Sequence, residues 1–147
     1  MIRPANYSDL DAMARLGELM HRESRFKVLT YDYDKVVALL RWLINEQQFV
    51  VVSEQDGEII GGFVGAAMPH WASPDLVAFD YALFIRPECR GTTVPFRLVR
   101  EFRRWANDRG AKLITAGIST GVHVDKTAAL YEAAGFKRIG YLYEGIE

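Results

Sequence analysis

The sequence predicts one α/β domain built on a mixed, mostly antiparallel central sheet flanked by helices. Three observations carry this prediction. Two strand patterns, at residues 49–54 and 59–68, flank the turn Gln-Asp-Gly-Glu at 55–58, whose Asp-Gly pair is the strongest hairpin signal in the chain. Two helical patterns precede this hairpin. A strand, a helix and a strand follow over residues 76–118, and that order brings the two strands parallel.

Length and composition indicate one globular domain spanning residues 1–147, since 50% hydrophobic residues supply a full core. The net charge of −1 argues against a dedicated nucleic-acid binder, which is usually basic. No apolar run approaches the ~20 residues needed to span a bilayer, and the first residues lack the layout of a secretory signal. One cysteine and three dispersed histidines indicate neither a disulfide nor a metal site. We expect a cytoplasmic protein without nucleic-acid or membrane partners.

The first half of the chain is predicted to hold a short strand and two amphipathic helices. Residues 1–4 form the strand, and apolar residues at helical spacing predict a helix over about residues 8–24. Residues 24–34 mix charged and aromatic side chains and indicate a loop or a broken helix. Asp34 is the expected cap of a second helix at about residues 34–46.

The second half alternates strands and helices after a glycine-containing strand. Gly61, Gly62 and Gly65 in the returning hairpin strand indicate a bulge or a close approach by another backbone or ligand. The elements expected after it are a strand at 76–86, a helix at 94–109 ended by Gly110, a strand at 112–118, a helix at 122–134 ended by Gly135, and a strand at 136–143.

The loop before the 94–109 helix is a candidate anion site. It carries Arg90, Gly91, Thr92 and Thr93 directly before the helix. A helix N-terminus presents unpaired N–H groups and a partial positive charge. An adjacent arginine and two hydroxyls therefore make this loop suitable for a phosphate or pyrophosphate.

Two local sequences in this element order resemble the GCN5-related N-acetyltransferases (GNAT). Residues 85–91 (Ile-Arg-Pro-Glu-Cys-Arg-Gly), leading into a helix, are similar to the family's acetyl-CoA motif. Residues 129–136 (Ala-Leu-Tyr-Glu-Ala-Ala-Gly-Phe) are similar to its helix ending in Leu-Tyr-Glu, two variable residues and Gly-Phe. The resemblance covers essentially the whole chain. It implies the GNAT-like acyl-CoA acyltransferase fold, acetyl-CoA as cofactor, and direct transfer of the acetyl group to a primary amine of a small molecule or protein in a ternary complex.

The resemblance also implies a cofactor-binding set. The strand before the phosphate loop would pair its backbone with the pantetheine arm and supply an oxyanion donor. The implied residues are Leu83, Phe84, Ile85, Arg90, Gly91, Thr92, Thr93, Val94, Pro95 and Phe96. Thr93 and Pro95 stand at two glycine positions of the family pattern, where Thr93 adds a side chain and Pro95 removes a donor. The alternative is therefore a catalytically inactive GNAT-fold binding module, and a longer acyl group is a third reading.

Two residues are candidates for moving protons. Tyr131 matches the family tyrosine that protonates the departing thiolate, and a phenol pKa near ~10 suits that role. Asp80 is the only carboxylate inside strand 76–86, and we expect burial to raise its pKa toward that of a useful base. Strand alternation predicts that Asp80 shares a side with Ala82 and Phe84.

Other assignments stay open at this stage. His123 and Asp125 are rival bases, and a water relay needs no dedicated base. Arg25, Tyr31 and Trp71 are candidates for the acceptor side, where Trp71 would wall the pocket. Many relatives form homodimers, and no residue decides that question from sequence.

Overall fold

The computed structural model describes all 147 residues, which form five strands and four helices. The strands are β1 (Ile2–Pro4), β2 (Phe49–Gln55), β3 (Glu58–Pro69), β4 (Leu76–Ile85) and β5 (Leu113–Ile114). The helices are α1 (Leu10–Glu23), α2 (Tyr33–Asn45), α3 (Val94–Asp108) and α4 (Val124–Ala133). Short 3-10 turns occupy Tyr7–Asp9, Arg25–Val28 and Pro87–Cys89.

The five strands form one sheet in chain order, β1-β2-β3-β4-β5. The first four are antiparallel to their neighbours, and β5 is parallel to β4 because α3 crosses between them. The β2–β3 turn forms where the Asp-Gly pair predicts it, with positive φ at Asp56 (53°) and Gly57 (78°). The mixed, mostly antiparallel sheet expected from the sequence is confirmed.

Helices cover both faces of this sheet and create two apolar cores. On one face α1 and α2 pack over β2–β4, with Met13, Leu43 and Val52 fully buried. On the other face α3 and α4 pack against Phe63, and the Phe63 and Phe102 rings stack with centroids 4.5 Å apart. The sheet is therefore a middle layer whose edges and loops remain available for binding.

The glycines of β3 allow close approach of neighbouring groups, as the sequence predicts. A Cβ on Gly65 would lie 2.6 Å from a ring carbon of Phe102 and 2.9 Å from the carbonyl oxygen of Phe79. A Cβ on Gly62 would lie 2.6 Å from the ring of Phe84. Side chains at these positions would push β4 and α3 away from β3.

One predicted helix cap is wrong by two residues. Asp32, not Asp34, caps α2, because the Asp32 carboxylate accepts a hydrogen bond from the N–H of Lys35 at 3.0 Å. Asp34 lies in the first turn instead, where its negative charge still suits the helix dipole.

The C-terminal strands differ most from the prediction. The strand expected at 112–118 is reduced to the two residues of β5. The strand expected at 136–143 is absent, so that prediction is wrong: residues 137–147 form no helix or strand, and their backbone makes no hydrogen bond to other backbone groups. An alternating pattern forms a strand only with a partner that pairs its backbone, and no strand of this chain pairs with these residues.

Candidate active site

A β-bulge in β4 sets the orientation of Asp80. Val64 pairs with Ala82 and Gly65 pairs with Asp80, so Tyr81 is the extra residue. The bulge changes the alternation, and Asp80 lies on the α3–α4 side while Ala82 packs on the α1–α2 side. The prediction that Asp80 shares a side with Ala82 and Phe84 is wrong for this reason.

Strands β4 and β5 separate immediately before Asp80. They pair only at Val77–Leu113 and Ala78–Ile114, and the Thr115 N–H donates the last backbone bond, to Ala78 at 2.8 Å. Beyond this point the Asp80 carboxylate accepts the N–H of Gly117 at 3.1 Å. The edge of β4 from residue 79 to 85 therefore has no strand on this side.

Tyr131 lies on α4 beside the gap that opens where β4 and β5 separate. Its side chain is buried, with 7% exposed, and its hydroxyl donates to the carbonyl of Gly117 at 3.2 Å. Burial, and then the charge of Asp80, raise the pKa of Tyr131 well above the usual phenol value. Burial also raises the pKa of Asp80, against the opposing hydrogen bond from Gly117. The gap thus holds a protonated phenol and a carboxylate with increased basicity.

The loop before α3 offers unpaired backbone donors. The N–H groups of Gly91, Thr93 and Phe96 have no acceptor in the protein, while the Val94 N–H bonds to the Thr92 hydroxyl at 3.3 Å. A Cβ on Gly91 would meet nothing within 4 Å. Two free donors in the exposed loop and a third in the first turn of α3 suit a pyrophosphate.

Pro95 is buried at the second position of α3. An N–H at this position would have no acceptor within the helix, so the proline breaks no helical hydrogen bond. Its effect is confined to removing one N–H donor from the first turn of α3. The side chain of Thr93 is exposed and caps nothing.

The Arg90 side chain forms an ion pair and a hydrogen bond within this chain. Its guanidinium forms a two-pronged ion pair with Glu23 at the end of α1, at 2.8 and 3.1 Å, and its Nε donates to the carbonyl of Ile85 at 3.2 Å. The Arg90 guanidinium holds the pKa of the Glu23 carboxyl below its usual value. The sequence holds no local signal for this contact, because the partners are 67 positions apart.

The sequence profile of the acetyltransferase (GNAT) family matches residues 13–136, which include the β4–β5 gap and the loop before α3. The chain belongs to this family. The GNAT family uses acetyl-CoA. This protein is therefore an acyl-CoA-dependent N-acyltransferase. No curated protein matches the sequence.

Solved GNAT structures share the fold at low sequence identity. AAC(6')-Iy in complex with the bisubstrate analogue CoA-S-monomethyl-acetylneamine has a TM-score of 0.78 and 16% identity, covering 100% of this chain and 97% of the other. Aminoglycoside 6'-N-acetyltransferase AAC(6')-Ig from Acinetobacter haemolyticus gives 0.71 and 15%, covering 100% and 99%. Ribosomal-protein-alanine N-acetyltransferase from Brucella melitensis gives 0.78 and 20%, covering 95% and 86%.

The acceptor-side candidates of this GNAT enzyme lie in separate places. Arg25 donates to the carbonyl of Ser119 and forms an ion pair with Glu144 at 2.8 Å. The Tyr31 hydroxyl donates to the carbonyl of Ala14 at 2.6 Å, and burial raises the pKa of Tyr31 to about 12. Trp71 is 93% exposed in the β3–β4 turn. No hydrogen bond or ring contact joins these three side chains.

The rival bases lie at the start of α4. His123 has a left-handed backbone (φ 50°) directly before the helix, and Asp125 lies in its first turn. Both side chains are exposed, and neither hydrogen-bonds to Asp80 or Tyr131.

None of the helices of the protein combines the length and apolar composition that crossing a membrane requires.

Proposed function

We propose that this protein transfers the acetyl group of acetyl-CoA to a primary amine of a small molecule or protein, by direct attack in a ternary complex. The observation that carries the proposal is the arrangement of Asp80 and Tyr131 on either side of Gly117, at the point where β4 and β5 part. Acyl transfer to an amine requires one group that accepts the proton of the amine and one that protonates the leaving sulfur. Burial raises the pKa of Asp80, which favours the first role, and keeps the Tyr131 phenol protonated, as the second role requires.

Two features of the chain fit coenzyme A. The unpaired edge of β4, which includes Leu83, Phe84 and Ile85, offers backbone groups to the amides of a pantetheine arm. The free N–H groups of the loop before α3 suit the pyrophosphate, and Thr92 and Val94 shape that loop through their own hydrogen bond. Arg90 would bind the phosphates after leaving Glu23.

The protein's part in the reaction is to move two protons. Bound acetyl-CoA supplies the thioester carbonyl, and a C–N bond forms as its C–S bond breaks. The Asp80 carboxylate accepts the proton that the attacking amine loses. The Tyr131 hydroxyl donates its proton to the sulfur that leaves, which its burial beside the β4–β5 gap supports. A backbone N–H at the end of β4 donates a hydrogen bond to the thioester carbonyl oxygen and stabilises the negative charge that develops on it.

The acceptor would enter from the side of the 3-10 turn that carries Arg25. The backbone N–H of Arg25 donates to Thr120 at 2.9 Å, next to the segment that holds Gly117. Tyr31 fixes the chain after this turn onto α1 through Ala14. We assign Arg25 and Tyr31 to acceptor binding on this basis, and we assign Trp71 from its exposed indole alone.

Two measurements test the function. Calorimetry with coenzyme A asks whether the loop with Thr93 and Pro95 binds the cofactor; absence of binding would contradict the enzyme and favour the inactive module. A thiol-release assay with acetyl-CoA then compares an aminoglycoside, a peptide with N-terminal alanine and a lysine peptide. Tight cofactor binding without turnover of any amine would contradict catalysis. Repeating the assay with longer acyl-CoA thioesters tests the acyl group.

A further inference from the structure

The Arg25 side chain is held in place by backbone and ring contacts. Its Nε donates to the carbonyl of Ser119, and its Cζ lies 4.5 Å from the centroid of the Phe26 ring. The backbone N–H of Arg25 donates to the carbonyl of Thr120 at 2.9 Å. These contacts fix the residue through its backbone, its Nε and one face of its guanidinium, so Nη1 and Nη2 are left for other partners.

Glu144 uses only part of what the guanidinium offers. Its carboxylate contacts Nη1 of Arg25 at 2.8 Å, and Nη2 has no acceptor in the protein. The Glu144 side chain is 66% exposed. It belongs to residues 137–147, whose backbone makes no hydrogen bond to other backbone groups. Because exposed ion pairs contribute little to stability, another carboxylate can replace Glu144 at small cost.

The guanidinium of Arg25 lies close to the proposed reaction centre. Its hydrogen-bond acceptor Ser119 is two residues after Gly117, and two residues of extended chain span at most about 7 Å. Gly117 hydrogen-bonds to both Asp80 and Tyr131. A small molecule can therefore place an amine at Asp80 and a second group at Arg25.

These contacts indicate the chemical class of the acceptor. A guanidinium binds a carboxylate best through two parallel N–H···O bonds, whereas Glu144 makes one. We propose that the acceptor is a small primary amine that also carries a carboxylate, and that this carboxylate replaces Glu144 on Arg25. The inference rests on the proposed function, because it places the acceptor's amine at Asp80. An acceptor without a carboxylate, such as an aminoglycoside, leaves Glu144 in place.

Matched pairs of acceptors test this class. β-Alanine, γ-aminobutyrate and ε-aminocaproate are each compared with their own carboxamides, which keep the amine and remove the negative charge. We expect kcat/KM for the best amino acid to exceed that for its amide at least about 10-fold. Arg25→Gln should bring this ratio close to one. The ratio distinguishes carboxylate binding from a structural role of Arg25, since loss of the contact with Ser119 would lower both rates together.

Glu144→Gln removes the competing carboxylate and leaves Arg25 in place. We expect the KM of the amino acids to fall about 3-fold, with the KM of the amides unchanged. Glu147→Gln is the matched control, because it makes the same charge change nearby and keeps the pair between Glu144 and Arg25. Equal effects of the two variants would show that net charge, and not release of Arg25, attracts the acceptor, and this would overturn the inference.

Calorimetry with the same pairs in the presence of coenzyme A measures binding apart from turnover. Amino acids that bind the parent and lose their advantage in Arg25→Gln, without acetylation of any amine, would support the carboxylate site and contradict the proposed function. Amides acetylated as fast as amino acids, or an aminoglycoside preferred to both, would support transfer to an amine and overturn the carboxylate inference. Absent or equal binding of acids and amides also overturns it, as does a preference that persists in Arg25→Gln. Circular dichroism verifies that each variant is folded, and the parent alone already compares acids with amides.

Discussion

Asp80 and Tyr131 hydrogen-bond to the same residue from opposite directions. The Asp80 carboxylate accepts the Gly117 N–H at 3.1 Å, and the Tyr131 hydroxyl donates to the Gly117 carbonyl at 3.2 Å. Gly117 follows β5, so its position depends on the separation of β4 and β5. One residue thus sets the positions of a proton acceptor and a proton donor.

Tyr131→Phe removes the proposed proton donor while keeping the buried ring. We expect turnover to fall about 10²-fold, with the dissociation constant of coenzyme A nearly unchanged, because the hydroxyl acts on the leaving sulfur. Steady-state kinetics and calorimetry measure the two quantities. Tyr7→Phe is the control, because its hydroxyl bonds to Asn45 on α2, away from this gap. Equal turnover in Tyr131→Phe and the parent would remove Tyr131 from the mechanism.

Asp80→Asn removes the proposed base and changes the pH–rate profile. Asp80 must lose its proton before it can accept one, so the rate should rise with pH through its raised pKa, above the ordinary value of ~3.9. We expect the variant to lose this rising limb and at least about 10²-fold in rate. A rising limb that persists unchanged in Asp80→Asn would assign it to another group and remove Asp80 as the proposed base.

The same substitution should stabilise the folded protein at neutral pH. The folded-state pKa of Asp80 is raised, so its contribution to stability is present below the unfolded pKa and is lost as pH rises through the folded pKa. Asparagine stays neutral and can still accept the Gly117 N–H. We expect a higher free energy of unfolding for the variant at pH 7 and convergence with the parent below about pH 4. Urea denaturation at both pH values checks this, and a destabilised variant at pH 7 would contradict it.

Local sequence patterns predict the scaffold better than the site. The Asp-Gly turn and the β4–α3–β5 order each depend on residues near one another, and both form as expected. The bulge at Tyr81 depends on how β4 pairs with β3, which alternation alone does not encode. The predicted strand at 136–143 failed for a related reason, because a strand needs a neighbour as well as a pattern.

The contact between Glu23 and Arg90 shows the same limit. Neither residue has a local signal for its partner, since α1 and the loop before α3 meet only in the folded chain. The resemblance to the acetyl-CoA motif implies that Arg90 binds phosphate, and the structure adds a carboxylate, Glu23, that already occupies its guanidinium. A sequence motif therefore predicts which residues bind a ligand, but it does not predict the contacts that those residues make before the ligand binds.

Gly65→Ala should destabilise the fold. The added methyl group would lie within 3 Å of both the Phe102 ring and the Phe79 carbonyl, and the backbone contact cannot move without displacing β4. We expect a loss of about 1–3 kcal/mol in the free energy of unfolding. Gly145→Ala is the control, since a Cβ there meets nothing within 4 Å. Urea denaturation compares the two, and equal stabilities would show that β3 and β4 adjust freely.

Glu23→Gln should strengthen coenzyme A binding by releasing Arg90. The ion pair is partly exposed, so its loss is worth at most about 1 kcal/mol, or roughly a 5-fold decrease in the dissociation constant. Arg90→Gln should weaken binding, by about 10-fold if the guanidinium bonds directly to phosphate. Glu18→Gln is the matched control, because it breaks a pair with Arg22 on the same helix and leaves Arg90 engaged. Calorimetry with coenzyme A in low salt measures all three, and an unchanged affinity in Glu23→Gln together with a weakened Arg90→Gln would show that Arg90 binds phosphate without leaving Glu23.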